Sequence, residues 1–174
     1  HSRRSSNYEN TSNYNVDEKT LRKMKKQVTE LQKDAKKAAK ILGVSNVDFL
    51  NFPDNEMDTV SNLEITKAIE KIISQFKPVI VYTHSQFDIN VDHRLCYFAT
   101  LTATRPKSGN LVKQVYSFEV PSSTEWFFPS SFSPNTFVDI SNELNAKIKS
   151  LQVYKNEIEK FPHPRSSDAL KAIS

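Results

Sequence analysis

The feature that most constrains the fold is a short apolar run followed by a polar loop and a helix-forming segment. Residues 78–82 predict a buried strand, and residues 94–99 predict a helix. The loop between them carries two histidines and two aspartates: His84, Asp88, Asp92 and His93. In an open α/β sheet this loop lies at the carboxyl end of the strand, where ligands bind. The sequence therefore predicts a ligand site in this loop.

The residue types in the loop suit a metal ion but do not require one. Histidine and aspartate are ligands of zinc and iron in proteins. His84 and Asp88 are equally compatible with solvated loop positions, and Asp92 with the start of a helix. No fixed-spacing motif such as HExxH is present. Spacing alone leaves both interpretations open.

Length and composition predict one domain. The chain has 174 residues, enough for one hydrophobic core, and no apolar run is long enough to span a membrane. Its single cysteine, Cys96, cannot form an internal disulfide, so we expect a reducing, cytoplasmic location. Because Cys96 falls within a predicted helix, we interpret it as a buried small residue and not as a nucleophile.

The positive charge of the chain is concentrated in one predicted helix. The formal net charge is +4, and much of it comes from residues 19–40. A basic helix can attract nucleic acid, but acidic residues interrupt the lysines here and no aromatic residue lies among them. We therefore expect a solvated helix face and no nucleic-acid partner. With only Gly43 and Gly109 in the chain, neither a phosphate-binding loop nor a dinucleotide fingerprint can be formed.

Predicted strands alternate with predicted helices along the chain. Apolar spacing and capping residues predict helices over 16–42, 61–76, 92–104 and 141–160, with a further helix from Ser166 or Ser167. Strands are predicted over 47–52, 79–83, 111–120 and 136–140. This alternation indicates an α/β fold with a mainly parallel sheet flanked by helices. The aromatic loop 121–134 is interpreted as either a lid or a plug over the sheet edge.

Six sequence blocks occur in a fixed order along the chain. They are Phe52-Pro53-Asp54-Asn55-Glu56-Met57-Asp58, Val81-Tyr82-Thr83-His84, Asp88-Ile89-Asn90-Val91-Asp92-His93-Arg94, Thr102-Ala103-Thr104-Arg105-Pro106, Glu119-Val120-Pro121-Ser122-Ser123-Thr124-Glu125-Trp126 and Phe161-Pro162-His163-Pro164-Arg165-Ser166. Together these blocks resemble the PIG-L/LmbE-like family of zinc-dependent N-deacetylases. The resemblance implies a Rossmann-like fold with zinc at the carboxyl ends of the strands. It also implies removal of the acetyl group from an N-acetylglucosamine-type sugar or glycoconjugate.

The resemblance assigns a role to each residue that matches a family motif. His93 matches a zinc ligand, and Asp92 is expected to be the carboxylate beside it. Asn90 replaces a histidine that is frequent in the family. The chemistry implied is metal-assisted amide hydrolysis, in which zinc lowers the pKa of a bound water to about 7.

Further residues are candidates for proton transfer and substrate binding. His163 lies between two prolines and is the candidate for protonating the leaving amine; we expect it on the same side of the sheet as His93. Arg4 (or Arg3), Asp54 and Arg165 are candidates for holding sugar hydroxyls or a phosphate. For His163 a plain turn position, and for the others a structural salt bridge, remain open alternatives.

One family block is absent from the sequence. The His-Pro-Asp-Asp block, which supplies two zinc ligands and the catalytic base, does not occur in these 174 residues. We therefore expect a single partial deacetylase domain over residues 1–174 that lacks the first strands of the family fold and its C-terminal end. The isolated chain would then be inactive. The alternative is a non-catalytic binding or scaffold relative that keeps the fold without the base.

Overall fold

The computed structural model describes residues 17–130 and 132–174. The helices are α1 (Glu18–Ile41), α2 (Asn62–Phe76), α3 (Val91–Thr104), α4 (Leu144–Gln152) and α5 (Ser167–Ile173), and the strands are β1 (Ile80–Thr83) and β2 (Gln114–Ser117). Short 3-10 helices span Met57–Thr59 and Thr124–Trp126. The described chain forms two compact units, one of residues 50–135 and one of residues 17–49 with 136–174. The predicted single domain stays a prediction.

The unit of residues 50–135 is built around a β-α-β arrangement. β1 and β2 pair in parallel, with Ile80 opposite Gln114 and Thr83 opposite Ser117. α3 connects the two strands and packs against both. The Thr83 hydroxyl donates to the Thr100 hydroxyl across this contact at 3.2 Å, and both side chains are buried. The predicted α/β class with a parallel sheet is therefore confirmed.

The two faces of β1 differ in burial. Successive side chains of a strand point to opposite faces. Thr83 faces α3, and Val81 shares that face because it lies two residues earlier. Ile80 and Tyr82 lie on the other face, where they are 43% and 62% exposed. One face of the sheet is thus covered by α3, while the other presents apolar side chains to solvent.

The hydrophobic core of this unit lies between α2 and α3. Ile65 and Ala99 are almost fully buried there with Met57, and Cys96 packs at the edge. α2 begins with the predicted cap, since the Ser61 hydroxyl accepts the Glu64 backbone N–H at 3.2 Å. Burial is the main cause that raises the pKa of the Cys96 thiol, with the charge of Asp92 second. A raised pKa keeps the thiol protonated, as its interpretation as a core residue requires.

The other unit contains α1, α4 and α5. α1 packs against α4, and α4 packs against α5. The Asp17 side chain caps α1 by accepting the Thr20 backbone N–H at 2.8 Å. The predicted left-handed glycine after α1 is confirmed, with Gly43 at φ 72°. α5 begins at the predicted cap, because the Ser166 hydroxyl accepts the Ala169 backbone N–H at 3.1 Å.

Two predicted strands are absent from the described residues. Residues 47–52 do not form a strand, and Asn51 has a φ of 57°, which breaks strand geometry. Residues 136–140 are also not a strand. Asp139 instead forms a turn by accepting the Ser141 backbone N–H at 2.9 Å. Apolar content suggested strands in both places, but an apolar run without a hydrogen-bonding neighbour does not make one.

The predicted helix 141–160 is shorter than expected. α4 ends at Gln152, and Glu143 instead of Ser141 occupies its N-cap. Beyond it the chain turns, with the Glu157 backbone N–H donating to the Tyr154 carbonyl at 2.8 Å. Burial raises the pKa of Tyr154, and the charge of Asp34 in α1 adds to the effect. Tyr154 thus lies beyond the end of α4 and does not extend its apolar stripe.

Among the helices of the described ranges, none combines the length and the apolar character that a membrane crossing requires.

Candidate active site

The loop after β1 and the first turn of α3 form the centre of the site. Asn90 is the N-cap of α3, and its side-chain oxygen accepts the Asp92 backbone N–H at 2.8 Å. Asn90 thus has a capping function at the position where the family frequently has a histidine. The cap places His93 in the first turn of α3, as the sequence predicted.

His93 is bound through its Nδ1 atom to a buried carboxylate. The distance from His93 Nδ1 to Asp88 Oδ2 is 2.9 Å. The Asp88 side chain is fully buried, whereas the His93 side chain is 21% exposed. Nδ1 is therefore engaged inside the protein, and Nε2 is the ring nitrogen left for a ligand.

Asp88 collects hydrogen bonds from three parts of the unit. Its Oδ1 accepts the Asn90 backbone N–H at 2.8 Å and the Ser123 hydroxyl. Its Oδ2 accepts the Thr124 hydroxyl at 3.1 Å, in addition to the His93 contact. Burial alone raises the pKa of Asp88, but hydrogen bonds led by those from Ser123 and His93 outweigh it, so the pKa is lowered overall. Asp88 is therefore a charged acceptor.

His84 stacks against one face of the His93 ring. The two rings stack with centroids 4.1 Å apart and an interplanar angle of 17°. Phe118, directly after β2, lies 5.1 Å from the His84 ring. Burial and the charge of His93 lower the pKa of His84 to about 4. His84 is therefore neutral at pH 7 and acts as a half-buried flat surface against His93.

Asp92 does not occupy the position expected from the resemblance. The carboxylate bonded to His93 is Asp88, while Asp92 accepts the backbone N–H groups of Asn55 (2.6 Å) and Met57 (3.0 Å). Burial raises the pKa of Asp92, and the charge of Asp54 contributes in the same direction. The physical reason is geometric, because residue 92 begins α3 on the side that meets the 55–57 segment. Asp92 thus fastens the loop that carries Asp54, and Asp54 itself is exposed.

His163 and Arg165 lie in the other unit, in the turn before α5. The Arg165 backbone N–H donates to His163 Nδ1 at 3.1 Å. The Arg165 guanidinium forms an ion pair with Glu157 at 2.9 Å. Arg165 therefore has the salt bridge that the sequence left open as its alternative role. Arg4 and Arg3 lie outside the described residues, and the predicted placement of His163 relative to His93 stays a prediction.

Sequence reasoning missed the residues that organise His93. Ser123 and Thr124 are both buried and donate to Asp88, although they are 35 and 36 residues away from it in sequence. The signal that could have located them is their place in one of the family-like blocks.

In the aromatic loop 121–134, Trp126 and Phe128 are 59% and 79% exposed, which is not expected of a plug over the sheet edge.

The described residues meet the requirements of a zinc site only in part. A catalytic zinc normally takes three protein ligands. A metal-bound histidine typically gives its second nitrogen to a carboxylate, as His93 does to Asp88. Yet residues 17–130 and 132–174 contain no group of three or more His, Cys, Asp or Glu side chains placed to hold a metal ion. His93 fits as one ligand, and the described chain does not complete a zinc site.

Comparison with known proteins identifies the family. The profile of the family described as GlcNAc-PI de-N-acetylase, PIG-L, matches residues 5–104, which is more than half of the chain. Among solved structures, the conserved protein TT1542 from Thermus thermophilus is similar in fold, with a TM-score of 0.63 and 20% identity. The similarity covers 83% of this chain and 64% of that protein, so the present chain spans less than two thirds of its structural relative.

The solved relative shows the fold, and the family match shows the family. The matched residues include the whole of the loop after β1 and α3, and therefore Asp88 and His93. The chain belongs to the PIG-L family, which is a family of deacetylase-type hydrolases.

Proposed function

We propose that this protein acts as a zinc-dependent N-deacetylase on an N-acetylglucosamine-type sugar or glycoconjugate. The observation that carries the proposal is the bond between His93 Nδ1 and the buried Asp88 carboxylate, which leaves Nε2 for a ligand. A carboxylate behind a histidine is typical of metal ligands because it fixes the ring and raises its basicity. His93 is proposed as one ligand, and the described residues contain no group of three that could hold the ion.

Zinc, when bound, supplies an acidified water and a polarised acetyl carbonyl. The residues of this chain contribute the surroundings of that chemistry. Asp88 holds the His93 ring, and Asp92 holds the loop that carries Asp54 close to the start of α3. Asp54 is exposed and is proposed to accept hydrogen bonds from sugar hydroxyls. Arg4 and Arg165 stay candidates for substrate contacts.

His163 is proposed to protonate the leaving amine. Its Nδ1 accepts a backbone N–H, so the proton of its neutral ring resides on Nε2. A proton on the outer nitrogen is what a general acid must present to the leaving group.

The test is acetate release from N-acetylglucosamine conjugates by protein expressed from its whole natural reading frame. We expect zinc-dependent turnover in the natural protein. His93→Gln should lose its zinc and more than about 100-fold of its activity. The loss should be this large because removal of a residue that only supports a metal ligand already costs up to about 100-fold. His163→Gln should lose turnover but keep its zinc. Full turnover by the His93→Gln variant would contradict the assignment of His93.

The alternative function is a binding or scaffold protein without catalysis. One observation favours it, namely that the described residues hold no complete group of metal ligands. In that case the natural protein would bind the sugar conjugate in equilibrium dialysis but release no acetate at any zinc concentration. Any zinc-dependent acetate release would exclude this alternative.

A further inference from the structure

We propose that Asp88, itself held by hydrogen bonds from Ser123 and Thr124, is the positioning residue that keeps His93 in the tautomer protonated at Nδ1, with the lone pair on Nε2. The use of this tautomer, which is to keep Nε2 ready to bind a metal ion, rests on the proposed function. The tautomer itself follows from contacts within the unit of residues 50–135.

Apart from His93, each group that contacts the Asp88 carboxylate donates a hydrogen bond to it. The backbone N–H of Asn90 can only donate, and it does so to Oδ1 at 2.8 Å. The Thr124 hydroxyl accepts the Val120 backbone N–H at 2.7 Å, so its hydrogen is available for Asp88 Oδ2. An ionised carboxylate has no proton to offer. The contact between His93 Nδ1 and Oδ2 at 2.9 Å therefore requires the proton to be on Nδ1.

Ser123 supports the same assignment from a second direction. Its hydroxyl has one hydrogen, which is donated to Asp88 Oδ1. The Ser123 oxygen also lies 3.5 Å from His93 Nδ1. Because its hydrogen is already used, the hydroxyl can only accept from the ring. Asp88 Oδ2 and Ser123 Oγ, the two polar neighbours of Nδ1, are thus both acceptors. An unprotonated Nδ1 could not form a hydrogen bond with either of them.

His163 provides a contrast within the same chain. Its Nδ1 lies 3.1 Å from the Arg165 backbone nitrogen, a group that can only donate. The neutral His163 ring must therefore carry its proton on Nε2. The two histidines are predicted to be opposite tautomers, one suited to bind a metal ion through Nε2 and the other suited to donate a proton from it.

The substitution Asp88→Asn should invert the tautomer of His93. The Asn90 backbone N–H is a fixed donor, so the amide oxygen of the new side chain must take the Oδ1 position. Its NH2 group then faces Nδ1 of His93 and donates to it. The Thr124 hydroxyl can rotate to accept the second amide hydrogen. The His93 proton would consequently move to Nε2, where it blocks metal binding.

The experiment records long-range proton–nitrogen correlation spectra of the metal-free, nitrogen-15-labelled 174-residue chain. Spectra are taken above the ordinary imidazole pKa, at a concentration where sedimentation shows a monomer. His93→Gln and His163→Gln assign the signals. We expect His93 as the Nδ1–H form and His163 as the Nε2–H form. Asp88→Asn should convert His93 to the Nε2–H form, while Ser123→Ala, which keeps the carboxylate, should leave it unchanged.

An Nε2–H tautomer of His93 in the unsubstituted chain would overturn the inference, even if the Asp88→Asn variant failed to fold. An unchanged His93 tautomer in a folded Asp88→Asn variant would also overturn it. The readout uses neither zinc nor substrate. Absence of deacetylation with an Nδ1–H His93 would therefore contradict only the proposed function, and deacetylation with an Nε2–H His93 would contradict only this inference.

Discussion

At the scale of single residues, Asp88 connects segments that are far apart in sequence. Its carboxylate joins the loop after β1, the first turn of α3 and the turn after β2. Hydrogen bonds to a buried charge contribute about 1.5–3 kcal/mol each to stability. The cluster around Asp88 thus stabilises the unit as well as holding His93.

Replacing Ser123 by alanine should therefore destabilise the protein by about 1.5–3 kcal/mol, because it removes a donor from a buried carboxylate. The matched control is Ser122→Ala, at the neighbouring position, whose backbone N–H donates to Glu125. The control should change stability by less than about 0.5 kcal/mol. Urea unfolding of both variants measures the difference, and equal effects at the two positions would contradict the role of Ser123.

The sequence predicted the place of His93 but not its partner. The start of α3 follows from local signals, because Asn90 is a favourable N-cap residue and the polar loop gives way to helix-forming residues after it. The partner of His93 depends on donors that arrive from beyond β2, so no local pattern could distinguish Asp88 from Asp92. The resemblance assigned this role to Asp92, whereas the carboxylate that contacts His93 Nδ1 is that of Asp88.

At the scale of elements, Glu70 ties α2 to the segment after α3. Its carboxylate accepts from Lys107 at 2.8 Å and from Lys67 at 3.1 Å. Hydrogen bonds from Lys107 and then Lys67 lower the pKa of Glu70 from 4.5 to about 2. Because the folded pKa is depressed, the stabilisation is present above pH 4.5 and is lost as the pH falls towards 2.

Glu70→Gln should accordingly be less stable than the natural protein at pH 7, and the difference should shrink as the pH falls from 4.5 to about 2. Thermal unfolding across this range measures it. Added salt should weaken the difference at pH 7 as well, because the pairs are near the surface. A stability difference that stays constant down to pH 2 would show that the effect is not electrostatic.

Helices were predicted better than strands for a physical reason. The spacing of apolar residues and the caps at Ser61 and Ser166 are local signals, and α2 and α5 begin at these caps. A strand depends on a neighbour that the local sequence does not contain. The prediction over 79–83 matches β1, and the prediction over 111–120 contains the shorter β2. The residues of the other two predicted strands, 47–52 and 136–140, do not form strands.

At the scale of the whole molecule, metal binding is expected to be incomplete. We predict that the 174-residue chain binds well below one zinc ion per molecule in equilibrium dialysis at neutral pH. The reason is that one imidazole is a poor site, and the described ranges contain no group of three candidate ligands. His93→Gln should abolish any weak binding that is seen. A stoichiometry of one zinc per chain would contradict the prediction.

The exposed face of the sheet should make the chain associate as its concentration rises. Ile80 and Tyr82 present apolar area to solvent, and exposed apolar strands are sites of aggregation. Tyr82→Thr should therefore reduce association in sedimentation experiments, and the loss of its stacking contact with Tyr116 should lower stability by no more than about 1.5 kcal/mol. The matched control is Val81→Thr on the face towards α3, which should destabilise the fold instead. Equal association of Tyr82→Thr and the natural chain would exclude this face as the cause.

The turn between α3 and β2 has a consequence for how relatives of this protein can differ in length. The Asn110 backbone N–H closes the turn onto the Lys107 carbonyl at 3.1 Å, and Gly109 adopts a φ of 80° there. The turn is exposed, and it lies at the amino ends of the two parallel strands, whereas His93 lies near their carboxyl ends. Doubling such a loop costs only about 0.6 kcal/mol of closure entropy. Evolution can therefore accept insertions at this turn without disturbing the stacked rings of His84 and His93.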